Sequence, residues 1–405
     1  MSSNRNANLL MVLLSLTSAL AGIASTSYQQ VLLDIKNDFS VSWWLVTFSV
    51  SSAHLATAIG RLFMGWIIDR WGERRIIVPS VLFFVLGALV AFYTPNIYWL
   101  IAGVFIQSLG IAPITIVTTT LISSLFSKDV IGRKIATSQT ISWIGPLAGP
   151  LIGAYLAYYA GWRTVFIAHI LLGILLLLPW LIRKTFLIPA TVRPHAQTNK
   201  VKNNKLIWIS LVGGLQFFVL FASHTLVPIL VRDHLGLDAR YAGWVSLSLG
   251  IVSMMTFSLG GKLSDRIGPT YTTCLGIFVL HSAQVLLLLT TITSETVTGI
   301  TALLAGSFLL GLSSGLSLPA HLKLIVDFFP DNKASALGFY KLVQYIGGAA
   351  GPACMGLAIV PWGPFWTLIG FLSVSITLTI PSLRGLGTTP SSVRPSKDKP
   401  ISEKN

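Results

Sequence analysis

The sequence predicts an all-α integral membrane protein with twelve transmembrane helices in two pseudo-symmetric six-helix bundles. Three observations predict it. Of 405 residues, 53% are hydrophobic and only 10% are charged, and the mean hydropathy is +0.75; a soluble chain carries about 25% charged residues. Continuous apolar runs of about 20 residues, enough for a helix to cross a bilayer, recur along nearly the whole length. A short charged sequence that closes one apolar run and opens the next occurs twice, with its two aspartates 196 positions apart.

Taken in order, the predicted spans are 8–32, 42–68, 76–93, 97–124, 134–159 and 161–182 in the first half. Those of the second half are 206–231, 240–262, 271–292, 299–326, 334–357 and 361–381. A β-barrel is excluded because its strands alternate polar and apolar over about 10 residues, whereas these runs are continuous. Arg5, the apolar stretch after it and Ala19-Leu20-Ala21 resemble a secretory signal. The run continues through Tyr28 to Leu33, however, and the twelve-span count needs it. The domain pattern is therefore a bundle over 1–183, a basic linker at 184–205, a second bundle over 206–383 and a disordered tail at 384–405.

The duplicated loops join spans 2 to 3 and 8 to 9. The first reads Gly65-Trp66-Ile67-Ile68-Asp69-Arg70-Trp71-Gly72, followed by Glu73, Arg74 and Arg75. The second reads Gly261-Lys262-Leu263-Ser264-Asp265-Arg266-Ile267-Gly268, with Pro269 and Thr270 where the trailing basic residues would be. Span 5 carries Gly145-Pro146-Leu147-Ala148-Gly149-Pro150-Leu151-Ile152-Gly153, and span 11 carries Gly347-Gly348-Ala349-Ala350-Gly351-Pro352. Pro150 and Pro352 are 202 apart, close to the loop period. Gly-Pro inside a membrane helix bends it and permits close packing.

Charge predicts the orientation. With the amino terminus inside, cytoplasmic loops and tails hold 20 of the 28 Lys and Arg, and outer loops hold four: Lys36, Arg163, Arg232 and Arg240. This positive-inside asymmetry places both termini in the cytoplasm and accounts for the net charge of +15 without a nucleic-acid partner. The linker reads as a solvated connector, with contact to anionic lipid as the alternative. Cys274 and Cys354 fall inside spans 9 and 11 with no disulfide or metal spacing. No Walker loop, dinucleotide fingerprint or HExxH occurs, and no nucleophile–base set points to an enzyme. The sequence thus predicts no cofactor, no bound metal and no ATP-driven pumping.

On these motifs the chain resembles the major facilitator superfamily over its whole length, most closely the drug-efflux and antiporter branch. The resemblance implies a monomeric transporter of a small molecule in the cytoplasmic membrane, worked by alternating access and coupled to a proton or another gradient. It implies gating by Gly65, Asp69, Arg70, Gly72, Arg74 and Arg75, and by Gly261, Asp265, Arg266 and Gly268. Asp69 would cap a helix end or pair with basic loop residues, Gly65 would permit close helix approach, and Arg70 would pair across the bundle interface. Arg133 and Lys134, with Lys333 in the second half, match the basic starts of spans 5 and 11. Gly145, Pro146, Gly149, Pro150 and Gly153 resemble the antiporter motif, with Ala154 standing where another Gly usually follows. Gly161-Trp162-Arg163 also matches the family and reads as an interfacial anchor.

The departures from the family pattern bear on substrate. Gln107 is present on span 4, but Val104 and Ser108 replace the usual Arg and Gly, and Ala24 stands where many relatives carry a buried Asp. Asp34 and Asp327 lie near span ends, so no mid-membrane carboxylate is expected to hold a permanent cation. Neutral, weakly acidic or zwitterionic substrates are expected instead.

In this fold spans 1, 4, 7 and 10 line the cavity. The substrate or proton candidates are then Tyr28 and Gln29 on span 1, Gln107 on span 4, Gln216 and His224 on span 7, and His321 on span 10. Lys341, Gln344 and Tyr345 on span 11 join them. Histidine titrates near neutral pH and can stand in for a carboxylate as proton carrier. Lys341 either snorkels or attracts an anion, Lys323 snorkels, and His169 and His281 are structural. The expected function is efflux of small amphipathic or hydrophobic compounds, with import of a small organic anion as the alternative.

Overall fold

The computed structural model describes residues 2–71, 73–126, 128–182, 204–293, 296–329 and 333–386. The side chains of 62–66, 68–71, 73–74, 128–129, 131–133, 333–335 and some others inside helices lie outside the description. So do the linker residues 183–203 and the tail from 387.

No strand occurs among the described residues. Long helices follow the predicted spans: α1 Ser2–Gln29, α3 Trp43–Trp71, α4 Glu73–Phe92, α5 Ile97–Leu125, α6 Lys128–Ala160 and α7 Thr164–Ile182. The second half holds α8 Asn204–Ile229, α9 Ala239–Arg266, α10 Pro269–Ile292, α11 Thr296–Phe328 and α12 Lys333–Leu386. Helix α12 is two helices joined at Gly363, whose φ of 69° reverses the backbone. Only glycine takes that conformation freely. Counting its two arms gives the twelve spans.

Two boundaries differ from expectation. Span 1 stops at Gln29, and the chain turns at Gln30 and Val31 into a short helix, α2 Leu32–Phe39. After Pro228 the end of α8 widens into a π-turn, Leu230–His234, closed by the Leu235 amide on the Leu230 carbonyl at 2.9 Å. Elsewhere the ends are set by capping. Asn96 accepts hydrogen bonds from the amides of Tyr98 and Trp99 at the start of α5, and Asp238 accepts from the Arg240 amide at the start of α9. The Arg240 side chain also donates to Asp238, which holds that carboxyl below the usual range.

Exposed aromatics ring the end away from the termini: Trp44, Tyr93, Trp99, Tyr159, Trp244 and Trp362. Such a belt belongs at a membrane–water interface.

Within each half, small residues set the packing. A Cβ on Gly145 would lie 2.0 Å from the Ala19 carbonyl oxygen, and one on Gly153 would lie 2.2 Å from that of Ser27. The Gly-Pro sequence of α6 thus rests on the backbone of α1. In the second half a Cβ on Gly347 would meet the Gly214 carbonyl oxygen at 2.0 Å, and one on Gly351 that of Phe218 at 2.2 Å. Helix α12 therefore sits on α8 as α6 sits on α1. Polar pairs assist inside the first half, including Ser15 to Ser138 at 2.7 Å and Ser18 with Thr118 at 2.8 Å. The halves meet along α3 with α12 and along α6 with α9.

Candidate functional site

Among the described residues, the side-chain hydrogen bonds that join the halves gather at the end away from the termini. Arg232, in the π-turn after α8, donates to both carboxylate oxygens of Asp34 on α2 at 2.6 and 2.7 Å. Its Nη1 also reaches the Gln30 carbonyl at 3.5 Å, and Gln30 Nε2 donates to Ser246 on α9 at 3.1 Å. Arg240 lies 3.9 Å over the Tyr158 ring. Along α6 and α9 the contact is by small residues, with Gly243 against Ala154 and Pro150 and Gly250 against Leu147.

Deeper in the interface the contact becomes aromatic. His54 on α3 packs its ring 4.0 Å from Phe221 on α8, and Phe221 lies 5.4 Å from Phe217 and 6.2 Å from His224. Phe217 lies 6.1 Å from Tyr345 on α12, and the Arg61 guanidinium covers Tyr345 at 4.1 Å. Arg61 sits 18 residues into α3, about 27 Å along its axis. The row therefore runs from mid-membrane toward the end that carries the termini.

Beside it lies a polar chain. Lys341 donates to Gln344 Oε1 at 2.9 Å, and Gln344 Nε2 donates to the Tyr340 hydroxyl at 2.7 Å. The hydroxyl can then donate to His321 Nδ1, 3.0 Å away, which puts the imidazole proton on Nε2. That nitrogen is buried with no partner among the described residues.

Gln29 is 1% exposed, and neither amide atom has a partner among the described residues. Its neighbours fix its position: Ser27 bonds His169 on α7, Tyr28 bonds Ser49 on α3, and Gln30 bonds Ser246 on α9. Gln29 thus lies between Tyr28, which is turned to α3, and Gln30, which is turned to α9 of the second half.

These positions divide the predicted set. His224, Tyr345, Lys341, Gln344 and His321 gather at or beside the aromatic row, and Gln29 lies at the same interface. Gln107 instead bonds His169 at 3.1 Å inside the first half, and Tyr28 is tied to Ser49 within it. Gln216 Nε2 reaches the Ser313 carbonyl at 3.4 Å, within the second half.

For the loop motifs, Gly72 and the side chains of Asp69, Arg70 and Arg74 lie outside the described residues, as does all that concerns packing at Gly65; Arg75 is exposed. In the second copy Asp265 pairs with Lys323 of α11, so Lys323 is an ion-pair partner as well as an end-of-helix cation. Gly261 faces open space, and the close approach to α11 belongs to Gly260, whose added Cβ would lie 2.2 Å from the Gly315 carbonyl oxygen. Gly268 has φ 94° and caps α10, while Arg266 is exposed.

Sequence reasoning passes over Arg61 and the Arg232–Asp34 pair. A lone arginine late in an apolar run reads as a positive-inside charge. The ion pair joins residues 198 apart, so only the second-half period could have hinted at it.

The family model of the Major Facilitator Superfamily matches residues 14–302 and 279–404. This chain belongs to that superfamily. Among its relatives is the multi-drug resistance efflux pump PmrA of Streptococcus pneumoniae, 28% identical over 323 residues that cover 75% of this chain and 76% of the pump. The chloramphenicol resistance protein CraA of Acinetobacter baumannii is 26% identical over 282 residues, 66% of each chain. Two solved superfamily structures share the fold at a TM-score of 0.73. One is a bacterial homologue of the human lysosomal transporter Spinster, inward-facing and occupied (15% identity, 93% of this chain and 95% of that one). The other is the inward-open xylose transporter XylE of Escherichia coli (14% identity, 95% and 97%). This superfamily chain is thus a multi-pass membrane protein of a transporter family.

Proposed function

We propose that the chain exports small amphipathic or hydrophobic compounds across the cytoplasmic membrane by alternating access, exchanging them for protons. The observation that carries the reading is the row of Tyr345, Phe217 and Phe221, aromatic rings of the second half that meet His54 of the first half at the interface. Such a surface suits apolar, sequence-tolerant ligands. The relatives named for multidrug efflux and chloramphenicol resistance support the direction.

In this reading the bundles 1–183 and 206–383 rock as units about the interface, and the basic linker 184–205 joins them. Both termini and the 384–405 tail are cytoplasmic, and the monomer is the working unit. The Asp265–Lys323 pair ties α9 to α11 within the second bundle, which supports rigid-body motion of that bundle. The loop motifs gate the cytoplasmic side. His54 and His224 flank Phe221. They are the proposed proton carriers.

Expression in a host stripped of its own exporters, loaded with neutral, anionic and cationic dyes, tests this. Protein-dependent release that a protonophore abolishes is expected, and His224→Ala should uncouple it from the gradient. Faster uptake, or no change for any dye, would count against efflux.

A further inference from the structure

We infer that the cluster where α3 meets α12 binds the anionic group of an amphipathic organic acid, with the acid's apolar body lying along the aromatic row. The inference rests on the exporter reading and narrows its substrate class.

Two cations, one from each half, lie at neighbouring tyrosines of α12, with Lys341 Nζ 5.6 Å from the Tyr340 ring centroid. The Arg61 guanidinium covers Tyr345 at 4.1 Å. Lys341 precedes Tyr345 by four residues and so shares its face of α12. Both side chains are half-buried, hence neither sealed in a core nor fully solvated. Gln344 takes one of the three N–H bonds of the Lys341 ammonium, which leaves the others for a ligand. A guanidinium fork beside an ammonium matches a carboxylate.

From Tyr345 the rings continue through Phe217 and Phe221 to His54, with successive centroids 6.1, 5.4 and 4.0 Å apart. A ligand anchored at the cations would therefore place a flat or alkyl body against ring faces. The charge pattern also links binding to motion. An anion between the two cations attracts both and favours their approach on the side that bears the termini.

An anionic lipid headgroup has the same chemistry, and the test must separate the two sources. Full-length protein is placed in phosphatidylcholine nanodiscs, and pyrenebutyrate and its uncharged amide are compared by equilibrium dialysis, with empty nanodiscs subtracted. The carboxylate should bind about tenfold tighter or more, as a charged hydrogen-bonded pair implies. Arg61→Gln and Lys341→Gln should each bring that ratio toward one, while Arg61→Lys, which keeps the charge, should preserve a preference. A wild-type ratio near one, or a ratio neither glutamine changes, overturns the site. If phosphatidylglycerol in the nanodisc displaces the probe, a lipid occupies the cluster and the substrate assignment falls; retained binding supports it. Efflux from cells separates this from the function itself. Protein-dependent release of the amide with no charge preference overturns the anion site and leaves the exporter standing. A charge preference in binding without release of either probe does the reverse.

Discussion

Gln29 is a polar side chain kept where none of the described residues bonds it. A buried amide without partners costs about 1–3 kcal/mol, and its burial here is nearly complete. A residue retained at that cost and set at the interface of the halves is explained by contact with substrate or water during transport. Gln29→Leu should therefore raise the apparent melting temperature in detergent and lower the efflux rate. A variant that is no more stable, or that transports normally, would remove Gln29 from the site. The glycines make a second test at the same scale. Gly145→Val and Gly347→Val drive a side chain into the backbone of the partner helix, and overpacking of this kind costs about 1–3 kcal/mol. Gly261→Ala meets open space and should leave the melting temperature unchanged, although all three glycines belong to motifs. Equal losses at the three positions would refute this account of the packing.

At the level of helices, most of the fold was legible and most of the facing was not. Spans could be read because a membrane helix must satisfy its backbone internally over a fixed apolar length. The equivalence of α6 and α12 was legible for a similar reason, since close approach leaves glycines at a repeating offset in both halves. A helix that is apolar all round, by contrast, does not reveal which side meets lipid, neighbour or cavity. Span number therefore put Gln107 in the cavity, whereas it turns back to His169. It also missed Arg61, whose face was decided by the crossing of α3 over α12. The network of α11 and α12 shows what such facing does. Tyr340 lies against Gly213 of α8, accepts from Gln344 and faces His321. Tyr340→Phe removes the link and leaves two buried polar groups unsatisfied. A loss of about 1–3 kcal/mol, read as a lower melting temperature, is expected, together with reduced transport because Gln344 no longer holds Lys341 in place. An unchanged melting temperature would mean that the three side chains are not coupled.

Across the whole molecule, the halves are held together by different means at different depths. Glycine contacts along α6 and α9 carry no charge and can slide, and the aromatic row can open to admit a ligand. The Arg232–Asp34 pair at the belt end is directional and bidentate, with the two side chains only 14% and 27% exposed. Separating the halves at this end must break two charge-assisted bonds and leave both groups half out of water, so the pair is expected to act as a latch. Such bonds contribute about 1.5–3 kcal/mol each at most, enough to bias a two-state equilibrium while still letting a gradient reverse it. Asp34→Asn or Arg232→Gln should thus shift the population toward opening at the belt end. In a background with Cys274 and Cys354 replaced, a Ser246→Cys probe should react about tenfold faster with a thiol reagent added from that side, which corresponds to a loss of about 1.4 kcal/mol. Exchanging the charges, Asp34→Arg with Arg232→Asp, should bring labelling back toward the wild-type rate, since the geometry permits a pair of either polarity. If the single variants label no faster, the closed end is held by the apolar packing of α2, α8 and α9 rather than by the latch. Removing the charge would then change stability without changing which side is open.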